Sequence, residues 1–369
     1  PGQWYLHLFD PSQPDLNWSN PLVRESFEEI FRFWFDRGVD GLRLDAVPAI
    51  GKDADFQDAG CDQSSQFAPE TSPPTTYWDA GDVHEVVSTW RRIAEAYDPP
   101  KYLVGEINVS SAEALLRYIR PGELQSVFAM NLAKAPWDAA EFRRRIAGNL
   151  NFTSNGESWP TWVLSSHDEV RSVTRFGELA DGSLDIALGT RRARAALLIT
   201  LALPGGACLY QGEELGLPQV KDLPRELLED PIVTRTGNPQ KGRDGCRVAL
   251  PWDTSTPSFG FGTGPSRLPQ PSDWGSLSAQ VQEMDHSSFL HFTRRALKVR
   301  RESKFSLFDN FEWVELGEDV LAFDRGDIRC IVNFGATSLT LAPDALVVVA
   351  SADVSAGKLP TDVGVWLRR

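Results

Sequence analysis

Three carboxylates occupy matching places in this sequence: Asp45, Glu106 and Asp168 each close a short apolar run. In Leu42-Arg43-Leu44-Asp45 the alternation sets the two leucines on one face and Arg43 and Asp45 on the other. Leucines turned toward surrounding helices leave Arg43 and Asp45 facing inward. Two carboxyl groups beside a glycosidic bond are enough to cleave it, one attacking the anomeric carbon and the other protonating the leaving oxygen. Arg43 on the same face as Asp45 favours the ionised carboxylate there. Glu106 must keep its proton for the second role, so a less polar or negatively charged surrounding is expected around it. Asp168 is then free to stabilise positive charge on the ring and to grip hydroxyls. Taken singly, each carboxylate is more simply a loop residue after a strand. Three at successive strand ends, with Arg43 and His167 beside them, favour the chemical reading.

The elements that must position these residues alternate. A helix is expected from Pro21, with Asn20 as N-cap, Val23, Phe27, Ile30, Phe31 and Trp34 on one face, and Gly38 ending it. Residues 39–47 read as a strand. Asp82 with Glu85 predicts a capping-box variant opening a second helix, whose face is Val83, Val86, Val87, Trp90, Ala94 and Tyr97. Asp98-Pro99-Pro100 ends it, and 101–107 reads as the next strand. Residues 126–132 and 162–165 are further strands, 191–203 a helix stopped by Pro204-Gly205-Gly206, and 207–211 a last apolar strand. Helices alternating with short apolar strands imply a parallel sheet, either open and doubly wound or closed as a barrel. From about 215 to 273 Pro, Gly and Asp dominate, a long loop with a role. A helix is expected over 287–301, and after Phe305 a period of two predicts a small antiparallel sheet domain.

Composition removes several classes. Lys+Arg number 37 against 51 Asp+Glu in 369 residues, a net charge of −14 that repels phosphate backbones, so no nucleic-acid partner is expected. The 12 Trp and 20 Phe argue against disorder. Cys61, Cys208, Cys246 and Cys330 have no CxxC or CxxH spacing, which argues against zinc and against a disulfide scaffold, and favours reduced thiols and a cytoplasmic location. No apolar run is long enough to span a bilayer, so no membrane partner is expected. No glycine-rich phosphate loop follows a strand, and the acidic residues lack calcium-loop spacing, so neither cofactor nor metal is expected.

Gly41-Leu42-Arg43-Leu44-Asp45-Ala46-Val47, Val104-Gly105-Glu106 and Ser165-Ser166-His167-Asp168 resemble three short signature regions of glycoside hydrolase family 13, the α-amylase family. Gln13-Pro14-Asp15-Leu16-Asn17, Gln211-Gly212-Glu213-Glu214-Leu215-Gly216 and Gly242-Arg243-Asp244-Gly245-Cys246-Arg247 resemble its α-glucosidase and oligo-1,6-glucosidase branch. The resemblance implies Asp45 as nucleophile, Glu106 as general acid/base and Asp168 as transition-state stabiliser, meeting at one sugar-sized hollow. It implies Arg43, His167 and Arg243 as contacts of the sugar, and Phe9 as an aromatic lining the pocket. The plainer alternatives are a strand-end histidine for His167, a surface ion pair with Asp244 for Arg243, and core for Phe9. Ala46 leans toward α-1,4 bonds.

The fold so implied is α/β, a partial (β/α)8 TIM barrel holding strands four to eight, then a small antiparallel β-sandwich. The expected domains are 1–20 (end of an inserted domain), 21–304 (barrel, with a long loop at 215–280) and 305–369 (C-terminal β domain). Two departures stand out: Ser166 replaces the usual Asn, and the family's first signature region is absent. The chain is therefore expected to be a fragment whose partner is the missing N-terminal barrel segment. Open parallel edges at 42 and 208 predict poor solubility and little activity alone. The function implied is a retaining α-glucosidase acting on α-1,4-linked glucose in maltose and short malto-oligosaccharides. Alternatives are a trehalose synthase or transglycosylase, or a non-catalytic binding subunit, the last disfavoured by the three carboxylates.

Overall fold

The computed structural model describes residues 2–53, 55, 76–109, 111–151, 158–303, 305 and 310–369; Cys61 lies outside the described residues. Among them, no helix is long and apolar enough to cross a membrane. The chain divides into two compact units, Pro1–Phe128 with Gly148–Thr161, and Ala129–Ala147 with Trp162–Arg369.

In the first unit α1 (Pro21–Asp36) starts as expected: Asn20 accepts from the Leu22 amide and proline fills the first turn. Gly38 follows with φ +91°, a conformation that glycine adopts without strain. The buried stripe of α1 differs from the expected one. Phe27, Phe31 and Phe35 pack inward, whereas Ile30 and Trp34 are each 46% exposed. The i, i+4 spacing of the phenylalanines and a stacked Phe31–Trp90 pair, 5.0 Å between centroids, fix the helix's rotation against α2 (Val83–Glu95). The capping box of α2 is not formed. Asp82 makes no cap bond, because its carboxylate pairs with Arg24, which also reaches Glu85 at 3.3 Å.

Strand β1 (Gly41–Leu44) lies parallel to β2 (Tyr102–Gly105), in register from Gly41↔Tyr102 to Leu44↔Gly105. Helix α3 (Ala112–Tyr118), capped by Ser111, leads to β3 (Ser126–Ala129), which pairs with β2 through Val104↔Ser126 and Gly105↔Val127. Val47, Val87, Trp90, Leu103, Tyr118 and Val127 fill the core between these layers. After α4 (Ala139–Asn151) comes β4 (Thr161–Trp162); the order in the sheet is β1-β2-β3-β4-β5.

In the second unit α5 (Ser172–Gly177) and α6 (Ile186–Ala202) precede β5 (Gly206–Ala207), tied to β4 by Cys208 N–H donating to Trp162 O at 2.9 Å. Both strands are shorter than the sequence suggests, because the next residues turn to side chains for partners. Ser172 N–H donates to Ser165 Oγ (3.0 Å), and Tyr210 N–H to Glu213 Oε2 (3.1 Å). The stretch expected as a long loop folds on its own small core, Leu215, Leu217, Val248, Leu250, Leu268 and Trp274, with α7 (Pro231–Thr236) in it and α8 (Ala279–Met284) following at its end.

Helix α9 (Phe289–Glu302) leads into β6 (Glu312–Trp313), β7 (Val320–Arg325), β8 (Ile328–Asn333), β9 (Leu339–Thr340), β10 (Leu346–Ala350), β11 (Lys358–Leu359) and β12 (Val363–Arg368). They form an antiparallel sheet in the order β10-β12-β8-β7-β6 and a β11-β9 pair. Helix α6 is apolar around much of its circumference because it is covered on several sides, by α5, α9, β8 and β12. Trp366 Nε1 on β12 donates to Leu198 O of α6 at 3.1 Å, and Arg325 of β7 donates to Leu203 O at its end.

Candidate active site

The β1–β2 register explains how the group in the first unit is assembled. Arg43 is paired with Val104, so its long side chain reaches across to the end of the neighbouring strand. It donates to Asp45 Oδ1 and, at 2.7 Å, to Glu106 Oε2. Glu106 N–H donates to Leu44 O (2.9 Å) and Val47 N–H to Glu106 O (3.3 Å), so the ladder runs on one step and holds the two carboxylates side by side. Ala46, directly after Asp45, has φ +41°, a left-handed conformation that strains a residue bearing a Cβ. Its amide lies 3.4 Å from Glu106 Oε2.

The two acids differ in exposure: Glu106 is 7% exposed, the Asp45 side chain 73%. Burial of Glu106 fits an apolar surrounding, but the guanidinium against it is a cation, unlike the surrounding expected from sequence. Phe9 is half-buried in a segment pinned by the Gln13–Asn17 motif. Within that motif Asp15 accepts from Leu8 N–H at 2.7 Å and faces Lys52 Nζ at 3.1 Å.

A separate group of the expected residues lies within the second unit. Asp168 Oδ1 accepts from Arg243 (2.7 Å) and from Arg247 (2.9 Å), while His167 Nε2 lies 3.2 Å from Asp168 Oδ2. Arg247 also donates to His167 O at 2.9 Å, and the Asp168 amide donates to Ser166 Oγ at 3.1 Å. Ser166 thus makes the turn bond at the position where the motif departs from its usual Asn. Arg243 does not pair with Asp244. It is held by Asp230, which accepts its backbone N–H (2.7 Å), Nε–H (2.6 Å) and an Nη2 hydrogen (3.0 Å). Asp244 instead accepts the Glu229 and Asp230 amides, both at 3.2 Å.

The electrostatics follow from these bonds. Asp230 raises the Arg243 guanidinium above its usual range, so it stays charged. Burial works to raise the Asp230 carboxyl, but the Arg243 hydrogen bonds outweigh it and hold the carboxyl below its usual value. Burial pushes the Cys246 thiol up to about 11, so it remains a neutral thiol, donating toward Arg243 O and His167 O. Glu213, from the Gln211–Gly216 run, is 5% exposed and is pushed up to about 7 by burial, against the pull of the Tyr210 amide, Arg175 and Arg171. Among the described residues, no cluster of three or more His, Cys, Asp or Glu is suited to a metal ion.

Sequence reasoning missed Arg247 and Asp230. Arg247 stands in the quoted Gly242–Arg247 motif, one helical turn from Arg243, so its signal was present. Asp230 precedes Pro231 and reads only as a helix cap, a role it also fills by accepting from Ile232 N–H at 3.2 Å.

The alpha amylase catalytic-domain family matches residues 1–307 of this chain. A probable α-glucosidase of Rhizobium meliloti (strain 1021) is 32% identical over 92% of this chain and 62% of its own length. An oligo-1,6-glucosidase of Parageobacillus thermoglucosidasius is 29% identical over 85% of this chain and 59% of its own. The chain thus spans about three-fifths of the length of the curated relatives it matches. Among solved structures, the α-glucosyl transfer enzyme XgtA superposes with a TM-score of 0.80 at 29% identity, over 99% of this chain and 70% of the other. Trehalulose synthase MutB of Pseudomonas mesoacidophila MX-45 superposes with a TM-score of 0.84 at 25% identity, over 100% of this chain and 72% of the other. The parallel strands with their helices are therefore the corresponding part of a TIM-barrel catalytic domain, followed in the chain by an antiparallel sheet domain. By sequence and by fold, this chain belongs to the α-amylase family.

Proposed function

We propose that this chain carries the reacting groups of a retaining α-glucosidase that removes terminal α-1,4-linked glucose from maltose and short malto-oligosaccharides. The observation that carries the reading is the single guanidinium of Arg43 against both Asp45 and Glu106 at the ends of paired strands. Asp45, exposed and cation-paired, is suited to attack the anomeric carbon. Glu106, buried beside it, is suited to hand its proton to the leaving oxygen as that bond breaks. The covalent glucosyl ester on Asp45 is then cleaved by a water whose proton Glu106 takes back, so configuration is retained. Asp168, held through Oδ1 by Arg243 and Arg247, offers Oδ2, beside His167, to ring hydroxyls and its charge to the oxocarbenium-like transition state. His167 and Phe9 are assigned as further contacts of the same sugar.

A second reading is transfer, in which a sugar hydroxyl rather than water accepts the glucosyl group. It is favoured by the likeness to XgtA and MutB, named as a glucosyl transfer enzyme and a trehalulose synthase. The test is p-nitrophenyl α-glucoside, maltose and sucrose given to the intact protein carrying this chain, with products resolved by chromatography and NMR. Release of α-glucose, lost in Asp45→Asn, supports hydrolysis. Glucosyl disaccharide products dominating over free glucose support transfer. Neither product, or undiminished turnover in Asp45→Asn, refutes the assignment.

A further inference from the structure

Resting on the proposed roles of Asp45 and Glu106, we infer that Trp78 and Asp79 form a positioning clamp that sets the spacing of these two carboxylates. This dipeptide touches both of the loops that carry them. Asp79 N–H donates to Pro48 O at 2.8 Å, three residues past Asp45. Trp78 Nε1–H donates to Asn108 O at 2.6 Å, two residues past Glu106. The indole is buried, so its hydrogen bond is made away from water, where a partner is obligatory.

Asp79 has φ +54°, a left-handed conformation that a residue with a Cβ adopts only where its surroundings enforce it. The enforcing groups come from elements on the far side of the dipeptide. The Asp79 carboxylate, 4% exposed, accepts from Tyr118 Oη–H (2.6 Å) and from Arg117 (2.5 Å), both on α3. His84 of α2 lies 3.9 Å away through Nε2, its Nδ1 sitting 2.9 Å from the buried Glu123. The chain of contact therefore runs from α2 and α3, through the Asp79 carboxylate, to a backbone bond on the Asp45 loop and an indole bond on the Glu106 loop. No residue of the clamp needs to touch a sugar. Its work is to hold two carboxyls at the separation a retaining reaction needs, where a shift of about 1 Å costs about 100-fold in rate.

The test uses Trp78→Phe, which removes the indole N–H and keeps an aromatic ring, and Tyr118→Phe, which removes one hydroxyl on α3 remote from either loop. Backbone hydrogen exchange over 46–50 and 105–109 is compared with the parent, together with kcat and KM on p-nitrophenyl α-glucoside. The clamp predicts exchange about 10-fold faster in both segments for both variants. It predicts kcat lower by about 10-fold or more with KM near the parent value. Faster exchange with unchanged kcat, or a loss confined to KM, overturns positioning. If the parent protein neither cleaves nor transfers α-glucosyl groups, the functional proposal fails and the exchange arm still decides the clamp: unchanged protection in both variants sinks it. Tyr118→Phe keeps the question answerable if Trp78→Phe unfolds.

Discussion

Replacing Glu213 by glutamine should stabilise the protein, and only on the alkaline side. The carboxyl is buried, Oε2 accepts the Tyr210 amide, and among the described residues Oε1 has no hydrogen-bond partner. Burial raises it from 4.5 to about 7. Between those values the folded chain keeps a proton that the unfolded chain gives up, so folding stability falls as pH rises through this window. The full cost is present above pH 7. At about 1.4 kcal/mol per pH unit, the rise corresponds to about 3 kcal/mol. Glutamine has nearly the same shape, can accept the same amide and never ionises. Its own contacts with Arg175 and Arg171 are weaker, which leaves a net gain of about 1–3 kcal/mol at pH 8 and little at pH 4.5. Urea unfolding of parent and variant at both pH values reads the difference directly. An equal difference at the two values, or a variant less stable at pH 8, refutes the account of Glu213 as a carboxyl forced to ionise in the dry.

Asp230→Asn keeps the shape but removes the charge that Arg243 binds, so Arg243 loosens its hold on Asp168. Steady-state kinetics should show kcat/KM lower by about 10- to 100-fold, against no change if Arg243 is placed by packing alone. Asn20→Ala should cost about 1 kcal/mol, whereas Asp82→Ala, whose carboxylate caps nothing and only pairs with Arg24, should cost under about 0.5 kcal/mol. Chemical denaturation ranks the two, and the reverse order contradicts the capping assignment.

These pairs also mark what the residues disclose before any coordinates. Asn20-Pro21 is a local signal acted on by local atoms, so it reads true. Asp82 carries the same kind of signal, but a distant residue, Arg24, takes its carboxylate, and no local pattern announces that. The rotation of α1 was misjudged because Ile30 and Trp34 fit a helical period as well as Phe27, Phe31 and Phe35 do; only the Phe31–Trp90 stack decides. Helices α3, α4 and α5 escaped notice because they are short, or, as with Phe142 and Ile146 in α4, bury few side chains. The region from 215 to 273 hid its core because Leu215, Leu217, Val248, Leu250 and Leu268, which pack with Trp274, follow no period. On the chemical side, alternation places Arg43 and Asp45 on one face, and Asp45 and Glu106 directly follow β1 and β2, whereas Asp168 stands six residues past the end of β4. Asp230 was not legible, since its bond to Arg243 is tertiary and its neighbour Pro231 gives it an ordinary reason to be there.

The dependence of α6 on β12 bears on how this polypeptide can be made. The helix is translated well before the strand that covers it, and Trp366 closes onto Leu198 only when the codons of β12 have been read. Until then a greasy rod ending in Ala202 waits for its lid, while β5 follows immediately behind. A contact of such long sequence separation forms late and leaves apolar surface open meanwhile. A nonsense codon anywhere before Val363 should thus do more than remove β12. It should leave the nascent chain a client of chaperones and proteases, with the Asp168 loop never settling beside its arginines.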